Sequence, residues 1–314
     1  MLKIKKLILK NYAGFRSAEF DFTRPDGSFK PINLFFGPNG CGKSTALQAI
    51  NVLCQAKAYV GRENDLIFRK LTFHPDYDPT LPHFAKYVDE MRIEGIFDLD
   101  GEEQKVIIST TNGVERNDLL KFSNVVFVDA DHPMNMKKFQ IPEERIDVFT
   151  DIAKAVYGYD VSLGKPVETF ENSWDGREDT YNNLKNDKKK VVFYQDFILD
   201  KGDVKVHFKS MSDGERKIAT LLRSLCDPTQ IDRSDIVLID NLEMHVFVSR
   251  HAKMVKKLIE VFPSKQFIVT SHSAVLVGAN DPDLKIYIPS YVGVTYGNDC
   301  LFDIPKIKGQ PLNV

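Results

Sequence analysis

Cysteine is scarce in this chain of 314 residues, and its four copies (Cys41, Cys54, Cys226 and Cys300) lie far apart. No C-x-x-C pair occurs, which argues against zinc and a disulfide framework and fits a reducing compartment. Charge of one sign is also lacking. Lysine and arginine number 42 against 44 aspartates and glutamates, a net charge of −2. There is no global basic field, so DNA would have to engage a local patch. No apolar run approaches the ~18 residues a membrane helix needs. The opening, Met1–Lys10, is basic and partly apolar, without the continuous apolar core of a signal peptide; it alternates as a strand does. Internal repeats and low-complexity tracts are absent. Together these features predict a soluble cytoplasmic protein with no membrane partner. The length suffices for a substantial core without staples.

What the chain does have is Gly37-Pro38-Asn39-Gly40-Cys41-Gly42-Lys43-Ser44, followed by Thr45. The pattern is G-x-x-x-x-G-K-S. The apolar run Ile32–Phe36 precedes it and a helix-forming stretch follows, the context a phosphate-binding loop requires. Glycines let the backbone curl so that successive N–H groups point inward at phosphate oxygens. The new helix adds unpaired N–H groups and its positive dipole end. Lys43 would reach the terminal phosphates of ATP, and Ser44 would ligate Mg²⁺. Cys41 occupies a variable position of the loop and reads as a small filler. A chance glycine-rich turn would leave both flanks unexplained.

The chain in order predicts strands at 2–9 and 18–22, a strand–loop–helix over 32–57, and a hairpin at 91–98 and 104–109. Residues 123–129 read as a buried strand. Residues 62–89 mix aromatics, prolines and both charges and read as a surface loop. Residues 134–190 read as polar and mostly helical, clearest over 143–156, with a solvated charge run at 185–190. A hairpin is expected from 191–199 and 204–208. An α/β pattern follows: a helix over 215–225, a fully buried strand at 235–240 of the parallel-sheet type, and an amphipathic helix over 248–262. That helix should turn Arg250, Lys253, Lys256 and Lys257 to water. A strand at 265–270 comes next, and edge strands at 283–288 and 293–301 close the chain.

Three further signals stand in order behind the phosphate loop. Met211-Ser212-Asp213-Gly214-Glu215-Arg216 opens a helix. Ser212 and Gly214 offer a hydroxyl and an N–H at a helix N-terminus, a second anion-binding surface, although Ser212 and Glu215 also spell a capping box. Ile236–Ile239 ends in Asp240, a carboxylate suited to hold Mg²⁺ opposite Ser44. His272, in Thr270-Ser-His-Ser273, follows a predicted strand and could hydrogen-bond a γ-phosphate or the attacking water.

With these four signals the chain resembles ABC-type ATPase heads of the SMC, RecF and OLD kind. The likeness rests on residues 1–60 and 205–280. It implies an α/β P-loop NTPase fold of ABC-ATPase type, with a mixed sheet core, an antiparallel β lobe and a helical insertion. The expected layout is one domain spanning 1–314: an N-terminal lobe (1–133), the insertion (134–190) and a C-terminal lobe (191–314). The resemblance further implies ATP and Mg²⁺ as cofactors and two heads that sandwich two ATP molecules, with Ser212, Gly214 and Glu215 acting on the other head's nucleotide.

One departure stands out. The family usually follows the Walker B aspartate with a glutamate that serves as general base; here the position is Asn241. An amide cannot take a proton from water, though it can orient one. Either Glu243 substitutes as base, or hydrolysis is slow and ATP acts mainly as a clamp. Small heads of this kind look like ATPases of bacterial anti-phage systems (Septu, PARIS and retron-associated). That likeness implies a switch controlling a partner effector, a nuclease or toxin. The alternative is a RecF- or SMC-like ATPase of repair or recombination that binds DNA.

Overall fold

A computed structural model describes residues 1–12, 15–56, 91–109, 111–116, 125–129, 141–164, 167–171, 190–278 and 283–289. In chain order the elements begin with β1 (Leu2–Tyr12), β2 (Phe15–Asp21), β3 (Ile32–Phe36) and α1 (Lys43–Cys54). Next are β4 (Arg92–Leu99), β5 (Glu102–Ser109), β6 (Gly113–Arg116), β7 (Val125–Asp129), α2 (Ile146–Tyr157), β8 (Asp160–Leu163) and β9 (Val167–Glu171). Then follow β10 (Lys190–Tyr194), β11 (Phe197–Asp200), β12 (Lys205–His207), α3 (Asp213–Leu225) and α4 (Pro228–Ile231). The last are β13 (Ile236–Asp240), α5 (His251–Val261), β14 (Gln266–Ser271), α6 (Ala274–Gly278) and β15 (Leu284–Tyr287). The surface loop at 62–89, the charge run up to 189 and the edge strand at 293–301 lie outside the described residues.

The core is a five-stranded sheet in the order β15-β3-β14-β13-β7, every neighbouring pair parallel. Its central strands are apolar along their length because both faces are covered. Alternation divides them between two clusters. Val237 and Ile239 of β13, Phe267 and Val269 of β14 and Leu34 of β3 pack with α2, α3 and α5. Ile236, Leu238, Ile268 and Phe35 face the other way, onto α1 and an antiparallel sheet. That second sheet runs β2-β1-β4-β5-β6. This antiparallel sheet lies beside the parallel core sheet, as the expected antiparallel β lobe does. Both the stretch 1–133 and the stretch 191–314 feed the core sheet, β3 and β7 from the first and β13–β15 from the second.

Two contacts tie the layers. Gln266, fully buried, accepts from the Ile4 N–H at 2.9 Å and donates to the Ile4 carbonyl at 3.0 Å. Its side chain thereby serves β1 as a strand's backbone would. At Gly95 on β4 a Cβ would stand 2.5 Å from Phe97 Cε2 and 2.8 Å from Leu53 Cδ1 of α1, so any larger residue would have to push those side chains aside.

The stretch expected to be mostly helical is only partly so. A short turn at Glu143–Arg145 leads into α2, as predicted, but Gly158 at φ 78° ends the helix. β8 and β9 follow, and β8 pairs with β11 while β9 pairs with β10. The expected strand over 191–199 is broken at Gln195–Asp196. Gln195 turns inward, its Oε1 accepting the Ile141 N–H at 2.9 Å, and Asp196 Oδ1 accepts the Phe208 N–H at 3.3 Å. The predicted hairpin survives as β11–β12. Arg250 departs from its expected place too. It is half-buried, its guanidinium lying where a Cβ at Gly158 would stand.

Candidate nucleotide-binding site

The C-terminal ends of β3 and β13 and the start of α1 converge on one point. Gly37, Gly40 and Gly42 adopt φ of 151°, 82° and 100°, as a tightly curled loop requires. Pro38, Asn39 and Gly40 are exposed, while Cys41 is buried. A Cβ at Gly37 would meet Cys41 Sγ at 2.8 Å, so Cys41 packs against the loop's own first glycine as a filler. Burial pushes its thiol up from the usual cysteine range, leaving it a poor nucleophile. Lys43 is buried, and its Nζ donates to the carbonyls of Gly37 and Pro38 at 2.9 Å each. Desolvation pulls its ammonium below the usual lysine range, against the opposing charges of Asp240 and Glu243.

Ser44 Oγ donates to Asp240 Oδ1 at 2.9 Å, joining residues 196 apart in the chain. Asp240 also accepts from Thr270 Oγ1. Immediately after it, Asn241 turns the chain at φ 56° and His245 does so again at φ 65°. Met244 N–H bonds to Asn241 O and Val246 N–H to Glu243 O, both at 2.9 Å, so the segment folds on itself. Glu243 Oε1 accepts the His272 N–H at 2.5 Å. Its Oε2 is buried and has no hydrogen-bond partner among the described residues. His272 itself is exposed. The buried His251 joins the two segments behind: Ser273 Oγ lies 2.7 Å from its Nδ1 and the Val246 carbonyl 2.9 Å from its Nε2. A carbonyl can only accept, so Nε2 carries the proton.

Ser212 and Glu215 form the capping box their spacing allows. Ser212 Oγ accepts the Glu215 N–H at 3.3 Å and donates to Glu215 Oε2 at 2.9 Å. Lys201 Nζ pairs with Glu215 Oε1 at 2.7 Å. Burial alone would raise the Glu215 carboxyl; Lys201 and Ser212 outweigh it and hold it below the usual range. Tyr157 Oη donates to the Glu215 carbonyl at 2.6 Å. Gly214 lies against His245, whose Nδ1 would be 3.4 Å from a Cβ there. None of the hydrogen bonds of Ser212 or Glu215 among the described residues reaches the phosphate loop. The structure thus gathers Lys43, Ser44, Asp240, Asn241, Glu243 and His272, while the Ser212 cap meets the segment after Asp240 at His245.

The donor set fits a nucleotide with a hard cation. Ser44 and Asp240 offer neighbouring oxygens, and among the described residues no group of three or more His, Cys, Asp or Glu could cage a metal alone. Mg²⁺ is normally held in that way, by one or two protein oxygens with phosphates and water supplying the rest. Thr270, His251 and Tyr157 carried no role in the sequence reading. A hydroxyl at the end of a buried strand was the one visible hint, for Thr270.

A family model described as an AAA domain matches residues 6–221, more than half the chain. The chain belongs to this family. It is similar to Septu protein PtuA of Bacillus mycoides, 23% identical over 91% of this chain and 40% of that protein. It is also similar to the Retron Ec83 probable ATPase of Escherichia coli, 30% identical over 35% of this chain and 21% of that protein. The chain therefore spans well under half the length of both relatives. Among solved structures it resembles an Smc head domain bound to the C-terminal domain of ScpA, from Pyrococcus furiosus. The TM-score is 0.55 at 15% identity, over 92% of this chain and 94% of that one. The fold is the α/β P-loop fold of an SMC head. No helix among the described residues is long and apolar enough to cross a membrane.

Proposed function

We propose that this chain binds ATP with Mg²⁺, hydrolyses it slowly, and closes head to head with a second copy around the nucleotide. The observation that carries this reading is the 2.9 Å bond between Ser44 and Asp240. It sets the two cation-binding oxygens side by side at the mouth of the glycine loop. Mg²⁺, when bound there, would neutralise developing phosphate charge. Lys43 would exchange the loop carbonyls for phosphate oxygens. Glu243 serves as the base or water-orienting group, because its Oε2 is buried with no partner among the described residues while Oε1 is pinned by the His272 N–H. Asn241, Glu243 and His272 are the catalytic set. Residues Gly37 through Thr45 cradle the phosphates, and Ser212, Gly214 and Glu215 cap the nucleotide of the opposite copy.

Support for closure comes from the surface next to the site. Phe247 is 73% exposed, and Val248 and Val275 flank the same two catalytic segments, also exposed. Large apolar side chains left bare beside a site commonly mark an interface. The closed state would control a separate effector, a nuclease or toxin, in bacterial anti-phage defence in the cytoplasm. The likeness to PtuA and to the retron ATPase supports that assignment.

Light scattering after size-exclusion chromatography tests the closure. With ATP and Mg²⁺ the mass of the unsubstituted chain should double, and Lys43→Ala should remain at its starting mass. Tight ATP binding with no change of mass would sink the closure and leave the nucleotide site standing; absence of binding would sink both. Mass spectrometry of the natively purified complex should identify a nuclease or toxin.

A further inference from the structure

Thr270 is fully buried at the end of β14, where Phe267, Ile268 and Val269 precede it. A hydroxyl in such a place is costly unless bonded. This one is bonded twice. Its Oγ1 donates to Asp240 Oδ1 and accepts the Asn241 N–H at 2.8 Å. The direction is fixed, because a backbone N–H can only donate and a carboxylate only accept. The Thr270 carbonyl takes a third bond, from the Leu242 N–H at 3.0 Å. One residue therefore grips both the carboxylate of Asp240 and the first two peptides after it.

We propose that Thr270 is a positioning residue of the nucleotide site, an inference that rests on the ATP-binding reading above. Ser44 and Thr270 place two hydroxyl protons on the same oxygen, Oδ1 of Asp240. That fixes the carboxylate plane, and with it the lone pairs the carboxylate can offer a cation beside Ser44. The grip on the Asn241 and Leu242 N–H groups holds the left-handed turn from which Glu243 reaches the His272 N–H. Loss of the hydroxyl lets the carboxylate rotate and frees one of the turn's two anchors. No hydrogen bond among the described residues joins Thr270 to the glycine loop or to Lys43, so nucleotide without metal should bind as before.

The full chain is compared with Thr270→Val, which keeps the shape and loses the hydroxyl, and Thr270→Ser, which keeps the hydroxyl. Binding of a fluorescent ATP analogue is titrated in EDTA and across Mg²⁺ concentrations. Thr270→Val should leave affinity in EDTA unchanged and raise the Mg²⁺ needed for half-maximal effect about 10–100-fold, as for other residues that orient metal ligands. Thr270→Ser should return the Mg²⁺ dependence to that of the unsubstituted chain. Equal losses with and without Mg²⁺, or no loss in either, overturn the inference. If Thr270→Val does not fold, Thr270→Cys carries the same comparison. An unsubstituted chain that binds no nucleotide overturns the ATP reading, and this inference with it.

Discussion

At Asn241 the backbone stands at φ 56°, a conformation asparagine tolerates better than most side chains. This gives the position a reason to carry an amide that has nothing to do with catalysis. It also bears on the base. Introducing a glutamate there costs about 1 kcal/mol of backbone strain. Asn241→Glu should therefore not raise turnover, whereas Glu243→Gln should lower kcat about a hundredfold while ATP still binds. A phosphate-release assay with parallel nucleotide titration separates the two. Faster turnover in Asn241→Glu would return the base to position 241. At this scale the phosphate loop, Asp240 and His272 were legible because each is a local pattern. Thr270 and His251 were not, since their partners lie on other strands and loops and no local spacing encodes them.

The start of α3 shows how one element carries two demands. Ser212 caps the helix through the Glu215 N–H, and Lys201 and Tyr157 brace the same turn from β11–β12 and α2. Ser212→Ala should cost about 1 kcal/mol of stability, visible as a lower melting temperature. Glu215 gives the pH signature. Its carboxyl is held below the ordinary value of 4.5, so its contribution is complete above that value and fades as pH falls through the folded one. The stability difference between the unsubstituted chain and Glu215→Gln, from denaturant melts, should be constant near neutrality and shrink below about pH 4.5. A difference that grows in acid would contradict the Lys201 and Ser212 bracing. α2, α3 and α5 were readable from their apolar periodicity. β8 and β9 were hidden because short strands in polar sequence carry little periodic signal, and β9's partner β10 lies 19 residues further on, at the start of a run that read as one strand.

At the scale of the molecule, two sheets are joined by a side chain. Gln266 satisfies both backbone groups of Ile4, so Gln266→Leu would leave an N–H and a carbonyl buried and unpaired. A loss of about 2–4 kcal/mol is expected, measurable by urea denaturation. A loss below about 1 kcal/mol would mean that β1 finds other partners. The buried apolar strands made the α/β class legible. Their order was not, because the sheet interleaves distant parts of the chain. That interleaving has a consequence for biosynthesis. β14 lies between β3 and β13 yet is made after both, so a nascent chain carries a finished glycine loop for more than 200 residues before its sheet can close. Asp240, Thr270 and His272 are made about 200 residues or more after the glycine loop. The candidate site therefore cannot assemble on the loop alone and has to wait for β13 and β14.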